Sequence, residues 1–350
     1  MKILHVTPSY FPAFRFGGPI QSVHLLNKGL IDEGIEVSVV TTNAGLDAEQ
    51  QIPLKEWTKQ QRVPVMYFPF AGYEHYNFSP SLFFFLLKEV KKYDLIHITA
   101  VWNFPVWAAA FACRLNNKPY LISPRGTIYP ETIAIKSAGL KKLYYKLMAE
   151  KTLKNAEAIH YTATDESARV EEYLKLGVKP LVIANGVDLS EFKESVTKDE
   201  LIKEHPFLQD KNYILFLGRI NKKKGLNILY EAFANVIQKY PGLILVVAGP
   251  DNDGYKKELE KLAEKLNIKD HIYYPGEFNG KTKISAYKNA FFFALSSYSE
   301  NFGMSVVEAM ASGTAVLISD MVGIAPEITA NNAGVVVKTT AESVASGMLK

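Results

Sequence analysis

Two carboxylates near residue 300 carry the clearest chemical signal in this 350-residue chain. Glu300 and Glu308 are separated by seven residues, and the segment between them begins Asn-Phe-Gly-Met. Glu300 falls where a predicted strand leads into a helix, and Glu308 lies on that helix. Carboxylates accept hydrogen bonds from hydroxyl groups, and a helix N-terminus offers backbone N–H groups to an anion. The combination suits a sugar joined to a phosphate.

Both carboxylates also have simpler interpretations. The charge of Glu300 would stabilise a helix N-terminus without any ligand. Glu308 is followed by Ala309-Met310-Ala311, which predicts partial burial, and a buried carboxylate needs polar partners. The acidic pair alone therefore leaves a binding role and a structural role open.

A basic loop supplies the second signal. Residues 218–225 follow a predicted strand, precede a helix and carry four cations, which are Arg219, Lys222, Lys223 and Lys224. Cations at a helix N-terminus oppose the macrodipole, so local stability does not explain them. A bound diphosphate does, because Arg grips phosphate oxygens in a fork and Lys acts as a point charge. The alternative is a solvated surface loop.

The elements that must position these residues follow from the apolar pattern. Short runs rich in Val and Ile alternate with helical spacing, which predicts βαβ units and parallel sheets. We expect two doubly wound α/β domains, residues 1–189 and 190–350, facing a central cleft, with 190–212 as the linker region. Ligands of such sheets bind at the carboxyl ends of the strands. The predicted strands are residues 3–6, 37–41, 95–98, 120–122, 158–161, 213–217, 243–248, 271–274, 290–295 and 315–318. The predicted helices are residues 20–31, 81–92, 140–155, 226–239, 254–266 and 305–312.

Composition excludes several classes of protein. With 48% hydrophobic and 22% charged residues, the chain is ordinary globular protein and not disordered. The single cysteine, Cys113, excludes an intrachain disulfide and a multi-cysteine metal site. No apolar run reaches the roughly 18–20 residues that span a bilayer. The net charge of +4 does not indicate nucleic-acid binding. We therefore expect a cytoplasmic protein.

The excess positive charge lies in the first half of the chain. Residues 136–154 carry six lysines against one acid, Glu150, with apolar residues interspersed. A basic amphipathic helix is typical of peripheral contact with an anionic membrane, here at the inner membrane face. A solvated outer helix is the alternative. The six lysines are Lys136, Lys141, Lys142, Lys146, Lys151 and Lys154.

Taken together, these segments resemble the retaining glycosyltransferases of family 4, which have the GT-B fold of two Rossmann-like domains. Glu300 and Glu308 match the family's E-x7-E signature, and the chain also resembles members that assemble surface polysaccharides and exopolysaccharides. The other matching segments are Gly17-Gly18, Asn185-Gly186-Val187-Asp188, Gly218-Arg219, Lys224-Gly225 and Ala248-Gly249-Pro250.

The resemblance implies an enzyme that moves a hexose from a nucleotide diphosphate sugar to a hydroxyl of a saccharide or lipid-linked saccharide, with retention. Family prevalence favours UDP-glucose as the donor. It implies that Arg219 and Lys224 bind the diphosphate, that Glu300 binds the hexose and that Glu308 binds the ribose. It places the base near Gly249 and the loop at 274–278. The other implied donor contacts are Gly17, Gly18, Gly218, Phe278, Asn301, Phe302, Gly303, Met304 and Ser305.

The chain departs from the family pattern at three places. Arg125 stands in a loop where many members carry His, and we expect it to stabilise phosphate or leaving-group charge. The loop at 321–327 lacks the usual second Gly. Family members continue beyond the equivalent of Lys350, so we expect the C-terminal tail to be incomplete.

The acceptor is expected on the first domain. Strand-end loops there carry aromatic, cationic and amide side chains suited to a sugar, namely Tyr10, Arg15, Trp102 and Asn103. Trp102 has an equally good interpretation as a core residue. We expect neither a metal nor a cofactor, because Asp251-Asn252-Asp253 is better placed to cap the helix near Tyr255 than to bind a cation.

Two other classes of function remain open at this stage. One is a different enzyme on the same fold, either a nucleotide-sugar epimerase, which needs no acceptor, or a sugar phosphorylase, which needs pyridoxal phosphate or free phosphate. The other is a non-catalytic module that binds sugar nucleotides. The oligomeric state is not predicted by any pattern in the sequence.

Overall fold

The computed structural model describes residues 1–134, 138–193 and 195–350 of the chain. These residues form two compact units, Met1–Gly186 and Val187–Lys350, hereafter unit 1 and unit 2. Each unit has its own sheet. The division lies a few residues before the expected boundary at 189/190.

Unit 1 contains an eight-stranded sheet in the order β3-β4-β2-β1-β5-β6-β7-β8, in which only the β3–β4 pair is antiparallel within the described residues. Its strands are β1 Lys2–Val6, β2 Glu36–Thr42, β3 Trp57–Gln60, β4 Val63–Phe68, β5 Leu95–Thr99, β6 Tyr120–Ser123, β7 Ala158–Tyr161 and β8 Pro180–Val182. Its helices are α1 Gly18–Asp32, α2 Pro80–Glu89, α3 Phe104–Leu115, α4 Pro130–Ala134, α5 Ala138–Tyr144, α6 Glu150–Lys154 and α7 Thr164–Leu174.

Unit 2 contains a six-stranded parallel sheet in the order β11-β10-β9-β12-β13-β14. Its strands are β9 Asn212–Leu217, β10 Leu243–Ala248, β11 Ile272–Gly276, β12 Phe292–Leu295, β13 Val316–Ser319 and β14 Val335–Val337. Its helices are α8 Leu189–Lys193, α9 Lys198–Glu204, α10 Leu226–Ile237, α11 Lys256–Lys265, α12 Gly280–Lys288, α13 Met304–Ala311, α14 Ala325–Ala330 and α15 Ala341–Met348.

The central strands form because their apolar residues can be buried on both faces. In β9, Tyr213, Ile214, Leu215 and Phe216 are all inaccessible to solvent, as a strand between two helical layers requires. The ten predicted strands all occur. The apolar pattern did not predict four further strands, which are short or, in β4, interrupted by Pro64, namely β3, β4, β8 and β14.

The prediction that residues 190–212 form a linker is wrong. Within it, α9 packs against α12 of unit 2, where the Ser285 hydroxyl donates to the Thr197 carbonyl at 2.8 Å. Leu201 and Leu208 are fully buried. The segment is rich in charge because one face is solvated, while a few apolar residues anchor the other face to the unit.

The prediction of a single helix over residues 140–155 is also only partly correct. Two short helices, α5 and α6, flank a π-helical turn at Tyr145–Ala149. Leu143 and Leu147 are exposed there, and Lys142, Lys146, Lys151 and Lys154 lie along the same segment. Lys136 lies outside the described residues. No helix in the described part of the chain is both long and apolar enough to cross a bilayer.

Candidate functional site

Three glycines meet at the carboxyl ends of neighbouring strands in unit 2. Gly218 follows β9, Gly249 follows β10 and Gly276 ends β11, and the Gly249 N–H donates to the Gly276 carbonyl at 2.8 Å. A Cβ on Gly249 would lie 2.0 Å from the Gly218 carbonyl oxygen, and its φ of +137° also disfavours a side chain. Only glycine fits there, so the backbone surface at this edge stays open.

A cavity of about 310 Å³ opens beside these glycines. Its volume is at the low end of the range for small-molecule pockets. The predicted position of the base, near Gly249 and the loop at 274–278, coincides with this cavity. The lining residues are Ile220, Val247, Gly249, Pro250, Asp251, Lys256, Tyr274, Gly276 and Glu277.

One wall of the cavity is held rigid by aromatic contacts. The Tyr274 hydroxyl lies 2.5 Å from that of Tyr230, and the Lys256 ammonium lies 4.6 Å from the centre of the Tyr274 ring. Burial raises the pKa of Tyr274 to about 12, so its hydroxyl stays neutral at physiological pH. Phe278, an expected donor contact, is only 5% exposed and packs edge-on against His205. Its ring therefore supports the loop and offers no free face.

The four cations of the basic loop take different positions. Lys224 ends a short 3-10 turn and forms an ion pair with Glu300, and the two side chains are 16% and 21% exposed. Lys222 instead pairs with Glu258 on the surface, and Arg219 and Lys223 are exposed. Because Lys224 and Glu300 are both mostly withdrawn from water, their attraction is screened less than that of a surface pair. The structure thus brings together two residues that are 76 positions apart.

Backbone contacts hold Glu300 at the start of α13. Its N–H donates to the Met321 carbonyl at 3.0 Å, and its carbonyl accepts from the Gly323 N–H at 2.8 Å. Gly303 is the N-cap of α13 with φ +91°, where a Cβ would lie 2.9 Å from a Val322 methyl carbon. The helix then begins at Met304, so the N–H groups of its first turn point toward the Glu300 end.

The other predicted residues of this segment divide between interior and surface. Phe302 is buried, whereas Asn301, Met304 and Ser305 are half-exposed beside Gly303. Backbone N–H groups at a helix start bind anions whatever the side chains are. The first turn of α13 is therefore suited to an anion or to polar oxygens of a sugar.

Glu308 lies one turn further along α13 and is 9% exposed. Its Oε1 accepts from the Lys283 ammonium at 3.0 Å, and its Oε2 accepts from the Tyr287 hydroxyl at 3.1 Å. The expected partial burial of this carboxylate is confirmed, and its partners are now identified. Both partners come from α12.

The acidic segment after β10 has the predicted capping role. Asp251 accepts from the backbone N–H groups of Tyr255 and Lys256, at 2.9 and 3.2 Å, where α11 begins. Both oxygens of this carboxylate are thereby used by the helix start. Among the residues that the structure describes, no group of three His, Cys, Asp or Glu side chains is arranged to hold a metal ion.

The strand ends of unit 1 hold a buried guanidinium. Arg125 is 7% exposed, and its Nη1 donates to Ser22 on α1 and to Asn185. Burial lowers its pKa to about 10, which leaves it cationic at neutral pH. Nearby Glu166, also buried, accepts from the Gly126 N–H at 2.6 Å. Desolvation raises the pKa of Glu166.

Three buried histidines, which no pattern in the sequence predicted, accompany Arg125. His5 and His97, paired in register on β1 and β5, stack with their ring centres 4.4 Å apart. His97 Nε2 lies 3.2 Å from His160 Nδ1 on β7. Burial lowers the pKa of His5 to about 3 and that of His160 to about 4, so both are neutral at physiological pH. Each histidine stands alone in a separate apolar strand, so no motif in the sequence indicated that the three lie together.

Two of the expected acceptor residues have other roles. Tyr10 is 1% exposed, and its hydroxyl lies 2.9 Å from His24 Nδ1, so the prediction that its ring contacts a sugar is wrong. It failed because the residue's loop folds back over the sheet. Arg15 is exposed and forms an ion pair with Glu74.

The remaining expected residues of unit 1 lie at helix starts. The Trp102 indole N–H donates to the Thr127 carbonyl at 2.7 Å while its ring packs on the core, as the alternative interpretation expected. The Asn103 amide donates to the His75 carbonyl at 2.5 Å. Gly17 is the N-cap of α1 with φ +84°, and Gly18 has open space around its Cα.

Two family models match the chain in tandem. The model described as Glycosyltransferase Family 4 matches residues 16–191, just over half of the chain, and the model described as Glycosyl transferases group 1 matches residues 197–350. The matched ranges correspond closely to unit 1 and unit 2.

Similar proteins of known name include an alpha-monoglucosyldiacylglycerol synthase of Streptococcus pneumoniae. It is 27% identical over 326 residues, which cover 91% of this chain and 70% of that protein. Among solved structures, sucrose-phosphate synthase from Thermosynechococcus elongatus superposes with a TM-score of 0.75 at 20% identity, covering 100% of this chain and 89% of that one. Anabaena HepE in complex with UDP and glucose has a TM-score of 0.72 at 19% identity, covering 99% and 88%. These structures confirm the expected GT-B fold of two Rossmann-like units.

Proposed function

Because this chain belongs to glycosyltransferase family 4, we propose that it is a retaining hexosyltransferase that uses a nucleotide diphosphate sugar. The observation that carries the proposal is the Lys224–Glu300 pair at the N-terminal end of α13. A cation, a carboxylate that accepts hydrogen bonds from hydroxyl groups, and helix N–H groups meet there. A sugar diphosphate requires these three kinds of group for its phosphates and its sugar hydroxyls. Our preferred donor is UDP-glucose. The complex of Anabaena HepE with UDP and glucose supports this choice.

The proposed donor site lies entirely on unit 2. The base occupies the 310 Å³ cavity beside Gly249, and Glu308 accepts from the ribose hydroxyls. Lys224 and Arg219 bind the diphosphate, and Glu300 with the first turn of α13 binds the hexose and the adjoining phosphate.

In the proposed reaction, the bond between the anomeric carbon and the diphosphate oxygen breaks, and negative charge develops on the diphosphate. Lys224, Arg219 and the α13 N-terminus stabilise that charge, and such preorganised groups contribute more in the transition state than in the ground state. The acceptor hydroxyl forms the new bond on the same face, and its proton passes to a diphosphate oxygen. Neither a metal nor a cofactor takes part.

The proposed acceptor is a saccharide or lipid-linked saccharide bound by unit 1. A lipid acceptor is supported by the name of the S. pneumoniae relative, a diacylglycerol glycolipid synthase. The basic segment at 142–154, with Leu143 and Leu147 exposed, would bring unit 1 to an anionic membrane at its cytoplasmic face. Flotation with and without anionic lipid tests this contact, and equal flotation in both cases would contradict it.

The test of the function has two stages. Melting temperatures are measured with UDP, GDP, ADP and their sugars, since a ligand at about 100 times its dissociation constant adds about 2.7 kcal/mol of stability. The nucleotide sugar that raises the melting temperature most is then incubated with the protein and with lipid or saccharide acceptors. The anomeric configuration of the product is determined by NMR. Conversion of the sugar without an acceptor would indicate an epimerase, and dependence on free phosphate a phosphorylase. Binding without turnover would indicate a non-catalytic module.

A further inference from the structure

The partners of Glu308 are more specific than burial of a carboxylate requires. Lys283 contacts Oε1 at 3.0 Å and Tyr287 contacts Oε2 at 3.1 Å, and both lie on α12, four residues apart. Residues four apart share one helix face, so α12 presents a cation and a hydroxyl side by side to α13. The Lys283 and Glu308 side chains are 17% and 12% exposed, respectively.

The helix that carries these partners is itself held firmly in unit 2. The Thr282 hydroxyl donates to Glu204 of α9 at 2.8 Å, and the Ser285 hydroxyl donates to the Thr197 carbonyl at 2.8 Å. On the other side, the Tyr287 carbonyl accepts from the Thr314 hydroxyl at 2.7 Å. Lys283 therefore projects from a rigid element, as a residue that orients another side chain should.

We propose that Lys283 is a positioning residue for the donor nucleoside, which it serves by holding the Glu308 carboxylate in the orientation that suits the ribose hydroxyls. The inference rests on the proposed function. An ionised carboxylate has about four lone-pair sites, so one bond to Lys283 and one to Tyr287 leave acceptor capacity for a diol. Lys283 compensates the charge of a carboxylate that is mostly removed from water, and Tyr287 sets its rotation.

Loss of Lys283 leaves that charge uncompensated, which is costly for a group so little exposed. The Glu308 side chain then turns toward water, and it accepts less well from a ribose hydroxyl. The effect is specific to the ribose, because Lys283 contacts Glu308 and not the groups that bind the diphosphate. A role in folding alone would weaken binding of every nucleotide alike.

The experiment compares UDP with 2′-deoxy-UDP by isothermal titration calorimetry, with GDP and 2′-deoxy-GDP in parallel. Hydrogen bonds to charged groups contribute about 1.5–3 kcal/mol, so the wild-type protein should prefer UDP over 2′-deoxy-UDP by about 10-fold or more. In Lys283→Met, UDP should bind about 10-fold more weakly while 2′-deoxy-UDP changes less than about 2-fold. The preference for the ribonucleotide then disappears. In turnover assays the donor KM should rise while kcat changes little.

Three variants serve as matched controls. Lys281→Met removes the same charge from an exposed position on the same helix and should keep the full preference for UDP. Lys283→Arg should restore much of it, since a cation returns. If Lys283→Met does not fold, Tyr287→Phe is used in its place, because it deletes only a hydroxyl and should reduce the same preference.

The possible failures are distinguishable. If the wild-type protein binds none of the nucleoside diphosphates, the proposed function fails and this inference with it. If the wild-type protein binds UDP and 2′-deoxy-UDP equally, the assignment of Glu308 to the ribose is overturned while the donor site stands. If Lys283→Met folds and keeps the preference for UDP, only the role of Lys283 is overturned.

Discussion

The sheets of the two units differ in what surrounds the ends of their parallel strands. In unit 1 the middle and C-terminal parts of β1, β5 and β7 carry the protein's own buried polar side chains, with His5, His97 and His160 in contact and Arg125 close by. In unit 2 the carboxyl ends of β9, β10 and β11 carry glycines, and a cavity lies beside them. In unit 1 the polar side chains of the sheet therefore form hydrogen bonds with one another. In unit 2 the strand ends leave room and hydrogen-bonding capacity for a ligand.

The difference shows that the same sheet architecture can be used either to stabilise a unit or to bind a ligand. A buried polar cluster whose members are partners of one another adds specificity and rigidity to a unit. Backbone left open by glycine, next to cations and to the N–H groups of a helix's first turn, gives a phosphate room and hydrogen-bond donors. We accordingly expect substitutions at the edge of unit 2 to affect binding and turnover, and changes at the edge of unit 1 to affect mainly stability.

The largest expected effect comes from Lys224→Ala. Removing this cation from beside Glu300 should lower kcat by about 10²–10³, in line with loss of one charge-stabilising group. Arg219→Ala should act in the same direction. Steady-state kinetics with the donor found in the melting screen measure both effects.

Lys222→Ala is the control for this prediction, since Lys222 belongs to the same basic run but pairs with Glu258 at the surface. It should retain near wild-type turnover. A Lys224→Ala variant as active as wild type would refute the assignment of the diphosphate to this edge.

The next effect concerns the backbone at Gly249. Gly249→Ala places a Cβ 2.0 Å from the Gly218 carbonyl oxygen, at a φ that costs about 1–3 kcal/mol for other residues. The free energy of unfolding, measured in urea, should fall by at least that amount, and nucleotide binding should weaken. Gly29→Ala on α1, where the added Cβ has open space, should raise stability by up to about 1 kcal/mol. Equal effects of the two substitutions would contradict the close strand-end approach.

An effect of comparable size on stability should appear on acidification, and it tests unit 1. His5 and His160 have pKa values of about 3 and 4 when folded, below the ordinary value of 6.5, so the unfolded chain binds more protons between these limits. Stability is therefore complete above about pH 6.5 and falls as the pH decreases toward 4. Between pH 7 and pH 5 each histidine should cost about 2 kcal/mol.

The slope of melting temperature against pH measures this loss. His5→Gln and His160→Gln should each flatten the slope, whereas His75→Gln, at an exposed position of the same unit, should leave it unchanged. A slope that none of these variants alters would mean that the histidine cluster does not control acid stability.

The smallest expected effect is that of metal removal. Asp251 of the D-x-D segment uses both oxygens to cap α11, and Lys224 and Arg219 can neutralise a diphosphate without a cation. Turnover should therefore be unchanged after EDTA treatment. A complete loss that added Mg²⁺ reverses would place a metal ion in the donor site.

The amino-acid sequence by itself determined the βαβ alternation, the two units, and the segments of unit 2 to which the proposed donor site is assigned. These features are local: a buried parallel strand needs an apolar run, and a phosphate-binding loop needs cations and glycine at a strand end. The apolar periodicity predicted ten of the strands, and the spacing of Glu300 and Glu308 identified the family. Three of the missed strands, β3, β8 and β14, were too short to show a period, and β4 is interrupted by Pro64.

Only the tertiary structure decided which side chains act as pairs. Glu300 meets Lys224 and Glu308 meets Lys283, although each pair is distant in sequence and separated by whole strands or helices. The same holds for the histidine cluster, whose members come from β1, β5 and β7, and for Tyr10, which the fold buries. Burial and pairing depend on which elements pack together, and that is a property of the folded chain as a whole.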